Sequence, residues 1–261
     1  MSETVLFETE GAVGIITLNR PDALNAMSGE LLDALVARGE EAAANENIRC
    51  LLVTGAGRAF CSGGDLKGIG SGDALDPLAS SSQLRRFEEI SKLLAEMPKP
   101  TVAAVRGAAA GAGFSLALAA DIRLAGTSAR FVTAFGRVGL TGDFGGSWQL
   151  ERIVGVAKAK ELYLLGSQID AATALRLGIV NRIVPDNALL DEAMALAQKL
   201  AAGPTNAYAR MKRNFAYGAT HSFSETLTFE AGNMIAASQT EDFRNAAAAF
   251  LERRQPEFKG R

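Results

Sequence analysis

The sequence has very little of the two residue types that most often build metal centres and disulfides. His221 is the only histidine, and Cys50 and Cys61 are the only cysteines among the 261 residues. A single histidine excludes zinc sites built on several histidines, and two cysteines make a closed structural zinc site difficult to assemble. Two cysteines also do not form a disulfide framework. We therefore expect no metal site.

The chain also lacks a strong charge of either sign and a long apolar run. Its formal net charge is −2 at pH 7, whereas a general nucleic-acid surface needs a marked basic excess. No apolar run reaches about 18 residues, the length typical of a membrane-spanning helix. The opening stretch "MSETVLFETE" is acidic and has no signal-peptide pattern. These absences predict a cytoplasmic protein with no nucleic-acid partner and no membrane partner.

Strand and helix patterns alternate through the first half of the chain, whose length suits one large domain or a core with a small appendage. The apolar spacing predicts strands at 12–21, 48–57, 101–107, 121–132 and 179–185, and helices at 28–47, 81–100 and 108–122. This alternation predicts an α/β fold with parallel or mixed sheets. After about residue 146 the patterns become mostly helical.

Two glycine-rich turns follow predicted strands, where α/β proteins commonly bind ligands: "GRAFCSGGDLKGIG" at 57–70 and "VRGAAAGAGFSLALAADI" at 105–122. The first backbone N–H groups of a helix lack intrahelical partners, and the helix dipole adds partial positive charge there. Two such groups that converge on one oxygen form an oxyanion hole. Small residues allow a carbonyl to approach the backbone closely. The alternative is that the glycines only make tight turns and close helix–strand packing.

Several familiar loops match these turns poorly. The stretch "GAGFSL" begins like the dinucleotide motif GxGxxG but ends in Leu116. The stretch "CSGGDLKG" lacks the Gly-Lys-Ser/Thr of a P-loop. "GFSLA" at 113–117 resembles the GxSxG nucleophile elbow faintly, and a serine hydrolase of this kind would depend on His221 as its base.

Taken together, "ITLNRPDALNAM" (16–27), "AFCSGGDLK" (59–67) and "KPTVAAVRGAAAGAGFSLALAADIRLA" (99–125) resemble the crotonase superfamily, the enoyl-CoA hydratase/isomerase family. "RVGLTGDFGGSWQLERIVG" (137–155) continues the resemblance. It implies a crotonase-like spiral of ββα units over residues 1–200 and a helical C-terminal region at 201–261 that forms homotrimers, often paired into hexamers. It also implies an acyl-CoA thioester substrate and no separate cofactor, because coenzyme A is part of the substrate.

The resemblance further implies roles for individual residues. The backbone N–H groups of Cys61 and Ala112 would hold the thioester oxygen and stabilise an enolate. The residues expected to bind coenzyme A or the acyl group are Ala23, Leu24, Ala59, Gly63, Asp65, Leu66, Gly111, Phe135 and Leu140. Phe258 and Lys259 resemble C-terminal residues that approach the coenzyme A phosphates, although Lys259 is equally consistent with a solvated tail lysine.

The chain departs from its family at the positions that decide the reaction. Typical hydratases of the family carry two glutamates that hold and activate water, and Ser115 and Phe135 occupy these positions here. Neither side chain can act as a carboxylate base. Asp143 stands where isomerases and dehalogenases of the family place a catalytic aspartate, and apolar neighbours such as Leu140 would raise its pKa. Alternatively, Asp143 is a turn residue or caps a helix that begins near Gly145.

These features predict an enoyl-CoA isomerase in which Asp143 is the general base. The stretch "VTAFGRVGLTGDFGG" (132–146) resembles phenylacetyl-CoA ring-epoxide isomerases in particular. A dehalogenase is disfavoured, because Trp148 and His221 do not stand at the tryptophan and histidine positions of such enzymes. Two alternatives stay open: a hydratase with non-standard catalytic groups, and a non-catalytic member that binds acyl-CoA or RNA.

Overall fold

The computed structural model describes residues 3–65 and 77–261. The strands among these residues are β1 (Val5–Glu10), β2 (Val13–Leu18), β3 (Cys50–Gly55), β4 (Thr101–Val105), β5 (Ala108–Ala110), β6 (Ile122–Gly126), β7 (Arg130–Val132), β8 (Ile169–Asp170) and β9 (Arg182–Val184). One sheet has the order β1-β2-β3-β4-β6-β9, and a second has the order β5-β7-β8. In the first sheet β1 is antiparallel to β2 and the other pairs are parallel. The α/β prediction is therefore confirmed.

The helices surround these sheets and dominate the C-terminal part of the chain. They are α1 (Gly29–Ala44), α2 (Pro77–Phe87), α3 (Glu89–Glu96), α4 (Ala112–Ala119), α5 (Gly146–Val154), α6 (Val156–Leu165), α7 (Ala171–Arg176), α8 (Leu189–Ala201), α9 (Thr205–Gly218), α10 (Phe223–Ser238) and α11 (Glu241–Leu251). The helix predicted at 81–100 is in fact α2 and α3, which meet at Glu88. It ends at Glu96 because Met97 precedes Pro98 and adopts an extended ψ of 146°.

Other predicted boundaries shift because the chain contributes to two sheets. The strand predicted at 121–132 divides into β6 and β7, since Ala129 N–H donates to Gly126 O in a turn between them. The first residues of the helix predicted at 108–122 form β5 instead, which pairs with β7. The strand β1 lies in the acidic N-terminal stretch, where no strand was predicted. Ser28 caps α1 as expected, and its Oγ accepts from Leu31 N–H at 3.3 Å.

The larger sheet is apolar on both faces, as parallel sheets covered by helices usually are. In β3, Leu51 and Val53 belong to the main core with α1, α3 and α4, whereas Cys50 and Leu52 face α8. Successive side chains of a strand point to opposite faces, so a fully apolar strand serves both layers. This packing fixes the ends of β3 and β4, from which the two glycine turns start.

The C-terminal helices leave much apolar surface uncovered within one chain. No residue of α10 is buried. Exposed apolar side chains of α9, α10 and α11 include Met211, Phe215, Phe223, Met234 and Phe250, and Phe215 and Phe250 are each 83% exposed. In the part of the chain that the structure describes, no helix is long and apolar enough to cross a membrane.

Candidate active site

The two glycine turns meet side by side. Cys61 pairs with Ala109 of β5 in a parallel bridge, and Ala110 N–H donates to Cys61 O at 2.9 Å. Gly63 has a φ of +96°, and a Cβ atom there would lie 2.8 Å from Ala110 O and 3.7 Å from Ala112 N. Any side chain at Gly63 would therefore clash with the backbone of the second turn. Glycine at this position brings the first turn next to the start of α4.

Cys61 does not offer its backbone N–H to a substrate, which corrects the sequence prediction. That N–H donates to Ala108 O at 3.0 Å, and the residue is fully buried. The thiol donates to Asn25 O at 3.1 Å, and burial raises its pKa to about 12. The bridge to β5 therefore uses the N–H, and Cys61 is a packing residue behind the turn.

Gly64 and Ala112 each carry, near this junction, a backbone N–H group with no acceptor among the described residues. Hydrogen bonds from Met27 N–H to Gly63 O and from Asp65 N–H to Met27 O flank Gly64, and Gly64 itself is exposed. Within residues 3–65 and 77–261, we find no acceptor for Gly64 N–H. Ala112 is the first residue of α4, so its N–H has no intrahelical acceptor. The role of Ala112 as a donor stays a prediction, and Gly64 rather than Cys61 has a backbone N–H available beside it.

Asp143 lies in the turn before α5 in a partly desolvated position. Burial, and secondly the charge of Glu88, raise the pKa of this carboxyl from its ordinary value of 3.8 to about 6. Its Oδ1 atom is buried and has no hydrogen-bond partner in the described part of the chain. The helix-cap interpretation is wrong, because Gly145 is the N-cap of α5 and no side chain caps that helix. The backbone of Asp143 does form a turn, with Gly146 N–H donating to its carbonyl at 3.1 Å.

Ser115 and Tyr163 lie against the Asp143 turn. The Ser115 Oγ donates to Gly111 O at 3.3 Å and is also hydrogen-bonded to the Tyr163 hydroxyl. Burial raises the pKa of Tyr163 to about 12. The negative charge of Asp143 is a further cause of that rise. A Cβ atom at Gly146 would overlap Ser115 Oγ and lie 2.7 Å from Tyr163 Oη. Glycine at 146 is therefore needed for α5 to start this close to the pair.

A family model described as "Enoyl-CoA hydratase/isomerase" matches residues 8–261. The chain belongs to the enoyl-CoA hydratase/isomerase family. A 1,2-epoxyphenylacetyl-CoA isomerase of Escherichia coli is 38% identical over 100% of this chain and 100% of its own length. A short-chain-enoyl-CoA hydratase of Clostridium acetobutylicum is 32% identical over 98% of each chain. The crystal structure of an enoyl-CoA hydratase from Polaromonas sp. has a TM-score of 0.93 at 34% identity, covering 98% of this chain and 99% of that one.

Family membership confirms the crotonase fold and the enzyme class predicted from the sequence. This family acts on acyl-CoA thioesters. Ser115 and Phe135, which the resemblance assigns to the two glutamate positions of typical hydratases, are both buried. Phe135 stacks on Tyr163 with ring centroids 6.1 Å apart, so an apolar wall stands where a second carboxylate would be.

The residues expected to bind coenzyme A lie beside the first glycine turn. Ser62 N–H donates to Leu24 O at 3.0 Å, which brings Ala23 and Leu24 against the segment from Ala59 to Asp65. The buried Asn25 side chain donates to Ala59 O at 2.8 Å and holds the two segments together. Arg20 pairs with Asp65 at 2.9 Å, so the Asp65 carboxylate already has a cationic partner. Leu66 lies outside the described residues.

The remaining predicted site residues are spread around this centre. Gly111 and Phe135 lie together, since a Cβ atom at Gly111 would be 3.7 Å from Phe135 Cε1. Leu140 is 53% exposed on the turn before Asp143. Phe258 O accepts from Arg49, and the Lys259 ammonium pairs with Glu241 at 2.7 Å. The hydrogen bonds of these two tail residues thus run to Arg49 and α11 rather than to the glycine turns.

His221 does not contribute to this centre. It is exposed, stacks on Tyr217 at 3.7 Å between ring centroids, and hydrogen-bonds to Tyr217 O. The partners of Ser115 are Gly111 and Tyr163, so the serine hydrolase alternative has no base at its nucleophile. Among the described residues, no group of three or more histidine, cysteine, aspartate and glutamate side chains is placed to hold a metal ion.

Sequence reasoning missed Glu88 and Tyr163. Glu88 Oε1 accepts from Phe144 N–H at 3.0 Å across 56 residues of chain. In the sequence it is one of several charges in an amphipathic helix, and Tyr163 is one apolar position in another. No local pattern distinguishes either residue, because their contacts with the Asp143 turn depend on how α3, α5 and α6 pack.

A cavity of about 940 Å³ lies between α3, α5 and α9, and Glu88 is part of its lining. Its lining includes Glu88, Phe144, Trp148 and Phe215, and residues 118–122 at the end of the second glycine-rich stretch, but neither Gly64 nor Ala112. Trp148, Met211 and Phe215 are also exposed apolar residues. This cavity is therefore separate from the oxyanion-hole candidate and opens onto the apolar surface of the C-terminal helices.

Proposed function

We propose that this protein isomerises a double bond, or a ring-derived conjugated system, in an acyl-CoA thioester, with Asp143 as the general base. The observation that supports this most is the Asp143 carboxyl itself, with one buried, unpartnered oxygen and a pKa of about 6. A base whose pKa lies near the operating pH is effective and still largely ionised at neutral pH. Ser115 and Phe135 provide no second carboxylate at the usual positions.

The reaction consists of two proton transfers on one conjugated system. The Asp143 carboxylate takes a proton from the carbon next to the thioester carbonyl, and the C–H electron pair moves into a dienolate. The N–H groups of Gly64 and Ala112 stabilise the negative oxygen. The protonated Asp143 then returns its proton to the carbon at the other end of the dienolate. Nothing is oxidised or reduced, and the proposed steps need no metal or cofactor.

We infer that coenzyme A lies along Ala23, Leu24 and the 59–65 segment, with Gly111, Phe135 and Leu140 nearer to the acyl group. The E. coli relative named as a 1,2-epoxyphenylacetyl-CoA isomerase makes a ring-modified phenylacetyl thioester the first substrate to test. Simple 3-enoyl-CoA thioesters are the second.

The test compares wild-type protein with Asp143→Asn on 3-enoyl-CoA, 2-enoyl-CoA and 1,2-epoxyphenylacetyl-CoA, with products separated by mass. Asp191→Asn, on the exposed side of α8, is the matched control. We expect isomerised product from wild type and Asp191→Asn, and a loss of about 10²–10⁴-fold in Asp143→Asn, the usual contribution of one acid–base group. Hydration that persists in Asp143→Asn would overturn the proposal.

One observation favours hydration as a second candidate. Glu88 places a second carboxylate close enough for its charge to act on Asp143, and two carboxylates can hold a water molecule. Hydration of 2-enoyl-CoA that is lost in Asp143→Asn would support this candidate. Binding of acyl-CoA thioesters without any turnover would instead favour the non-catalytic alternative.

We also propose that residues 201–261 assemble the protein into trimers or hexamers. The support is α10, which has no buried residue, together with the exposed side chains of Met211, Phe215 and Phe223. Exposed apolar area of this extent commonly marks a protein–protein interface. Light scattering would then give three or six times the chain mass of 27.3 kDa, and a monomer would contradict the proposal.

A further inference from the structure

We propose that Glu88 is a positioning residue for Asp143, acting through the Phe144 peptide that follows it in the chain. This inference rests on the proposed role of Asp143 as a base. Glu88 stands between α2 and α3, and its Oε1 accepts from Phe144 N–H at 3.0 Å. Its side chain is 24% exposed, so this hydrogen bond is partly shielded from water.

The turn that carries Asp143 needs an external anchor. Gly142 has a φ of +117°, Gly145 a φ of +70°, and Phe144 itself a left-handed φ of 52°. A bulky residue rarely adopts this conformation unless its surroundings hold it there. Two contacts hold Phe144: its ring is buried in the main core, and its N–H is bound by Glu88. The carbonyl of the same peptide accepts from Gly146 N–H within the turn, so the Glu88 hydrogen bond is the contact that ties this peptide to the start of α3.

Glu88 also affects the protonation of Asp143, in addition to holding its turn in place. The negative charge of Glu88 is the second cause, after burial, of the raised pKa of Asp143. From α6, Tyr163 is coupled to the same carboxyl, and α4 contributes only the non-titrating Ser115. Arg85 of α2 lies 3.9 Å from Glu88. On α5, Glu151 and Arg152 are exposed, and Arg152 stacks on Trp148 instead.

The two effects can be separated with two substitutions. Glu88→Gln keeps an acceptor oxygen for Phe144 N–H but removes the charge, whereas Glu88→Ala removes both. Glu89→Gln is the matched control, because Glu89 is the next residue and pairs with Lys92 and Arg85 rather than with the Asp143 turn. The readouts are a carbon-13 NMR titration of the Asp143 carboxyl in the resting protein, and kcat and KM as functions of pH.

In Glu88→Gln we expect the pKa of Asp143 to fall, with kcat at pH 8 within about threefold of wild type, because the acceptor that holds the turn is retained. In Glu88→Ala we expect kcat to fall about 10- to 100-fold with little change in KM, because a shift of about 1 Å in a reacting group can cost this much. Glu89→Gln should change neither readout.

An unchanged Asp143 titration in Glu88→Gln, or wild-type kcat in Glu88→Ala, would overturn the inference. The titration needs no substrate, so it separates this inference from the proposed function. If wild-type protein converts no thioester, the proposed function fails, while a titration shift in Glu88→Gln still supports the coupling of the two carboxyls. If thioesters are converted and neither Glu88 variant differs from Glu89→Gln, only the inference about Glu88 fails.

Discussion

A carboxyl held in a desolvated turn should lower the stability of the folded protein, and Asp143 allows this effect to be measured. Its carboxyl binds a proton more tightly in the folded chain, where the pKa is about 6, than at its ordinary value of 3.8. For an acid with a raised pKa, the ionised form is disfavoured by folding. The group therefore destabilises the folded protein above about pH 6, and this effect disappears as the pH falls towards 4.

The expected magnitude follows from the size of this rise. At 1.36 kcal/mol per pH unit, a pKa of about 6 corresponds to an upper limit of about 3 kcal/mol. Asp143 is only partly buried, so solvent screening reduces this to about 1–2 kcal/mol. Asp143→Asn should thus raise the free energy of unfolding at pH 8 by about this amount relative to wild type. Near pH 4 the two proteins should differ little.

Urea denaturation followed by circular dichroism at pH 4.5 and pH 8 measures this difference. Protein concentration is held constant, because an oligomer's apparent stability depends on it. Asp191→Asn, which removes an exposed carboxylate, is the matched control. A stability difference for Asp143→Asn that is equal at both pH values, or that favours wild type at pH 8, would refute the assignment of Asp143 as a desolvated carboxyl.

Three further predictions follow from the site. The kcat/KM of wild type should decrease as the pH falls through about 6, because protonated Asp143 cannot act as a base; a flat profile from pH 5 to 8 would contradict this. Gly146→Ala should lower the free energy of unfolding by about 1–3 kcal/mol, since the added Cβ overlaps Ser115 Oγ, whereas Gly29→Ala meets open space and should not. Gly64→Pro should reduce kcat about 10²–10³-fold, because it removes an N–H donor. Gly64→Ala keeps this N–H, and its added Cβ meets no described atom within 4 Å, so its kcat should fall far less. Equal kcat values for the two variants would contradict the role of that N–H.

The fold was predictable from the sequence where the local pattern determines the element. The strands β2, β3, β4 and β6, the Ser28 cap and the glycine turns follow from apolar spacing and backbone freedom, whereas β1 and β5 were not predicted. What the pattern could not reveal is that the segment 121–132 serves two sheets. A continuous apolar run is compatible with one long strand, and only the pairing of β7 with β5 and β8 separates the two parts.

In the candidate site too, the residues with a local sequence signal could be predicted, and those defined by contacts between distant segments could not. The local sequence and the resemblance to the family predict Asp143 and Ala112 as site residues, and their roles stay predictions. The sequence could not reveal which of Cys61 and Gly64 has a backbone N–H without an acceptor in the described part of the chain. The Cys61 N–H is used in the bridge to β5, and this bridge joins parts of the chain that are distant in sequence. Glu88 could not be identified for a similar reason, since its partner Phe144 lies 56 residues away.

The most direct test of the central claim, that one carboxyl moves the proton, follows a hydrogen isotope through the reaction. A 3-enoyl-CoA deuterated at the carbon next to the carbonyl is converted in ordinary water, and deuterium in the 2-enoyl-CoA product is located by NMR. If Asp143 carries the proton, part of the deuterium appears at the far carbon of the product, and Asp143→Asn forms no product at a comparable rate. Conversion by Asp143→Asn at the wild-type rate, with the same isotope pattern, would contradict the account.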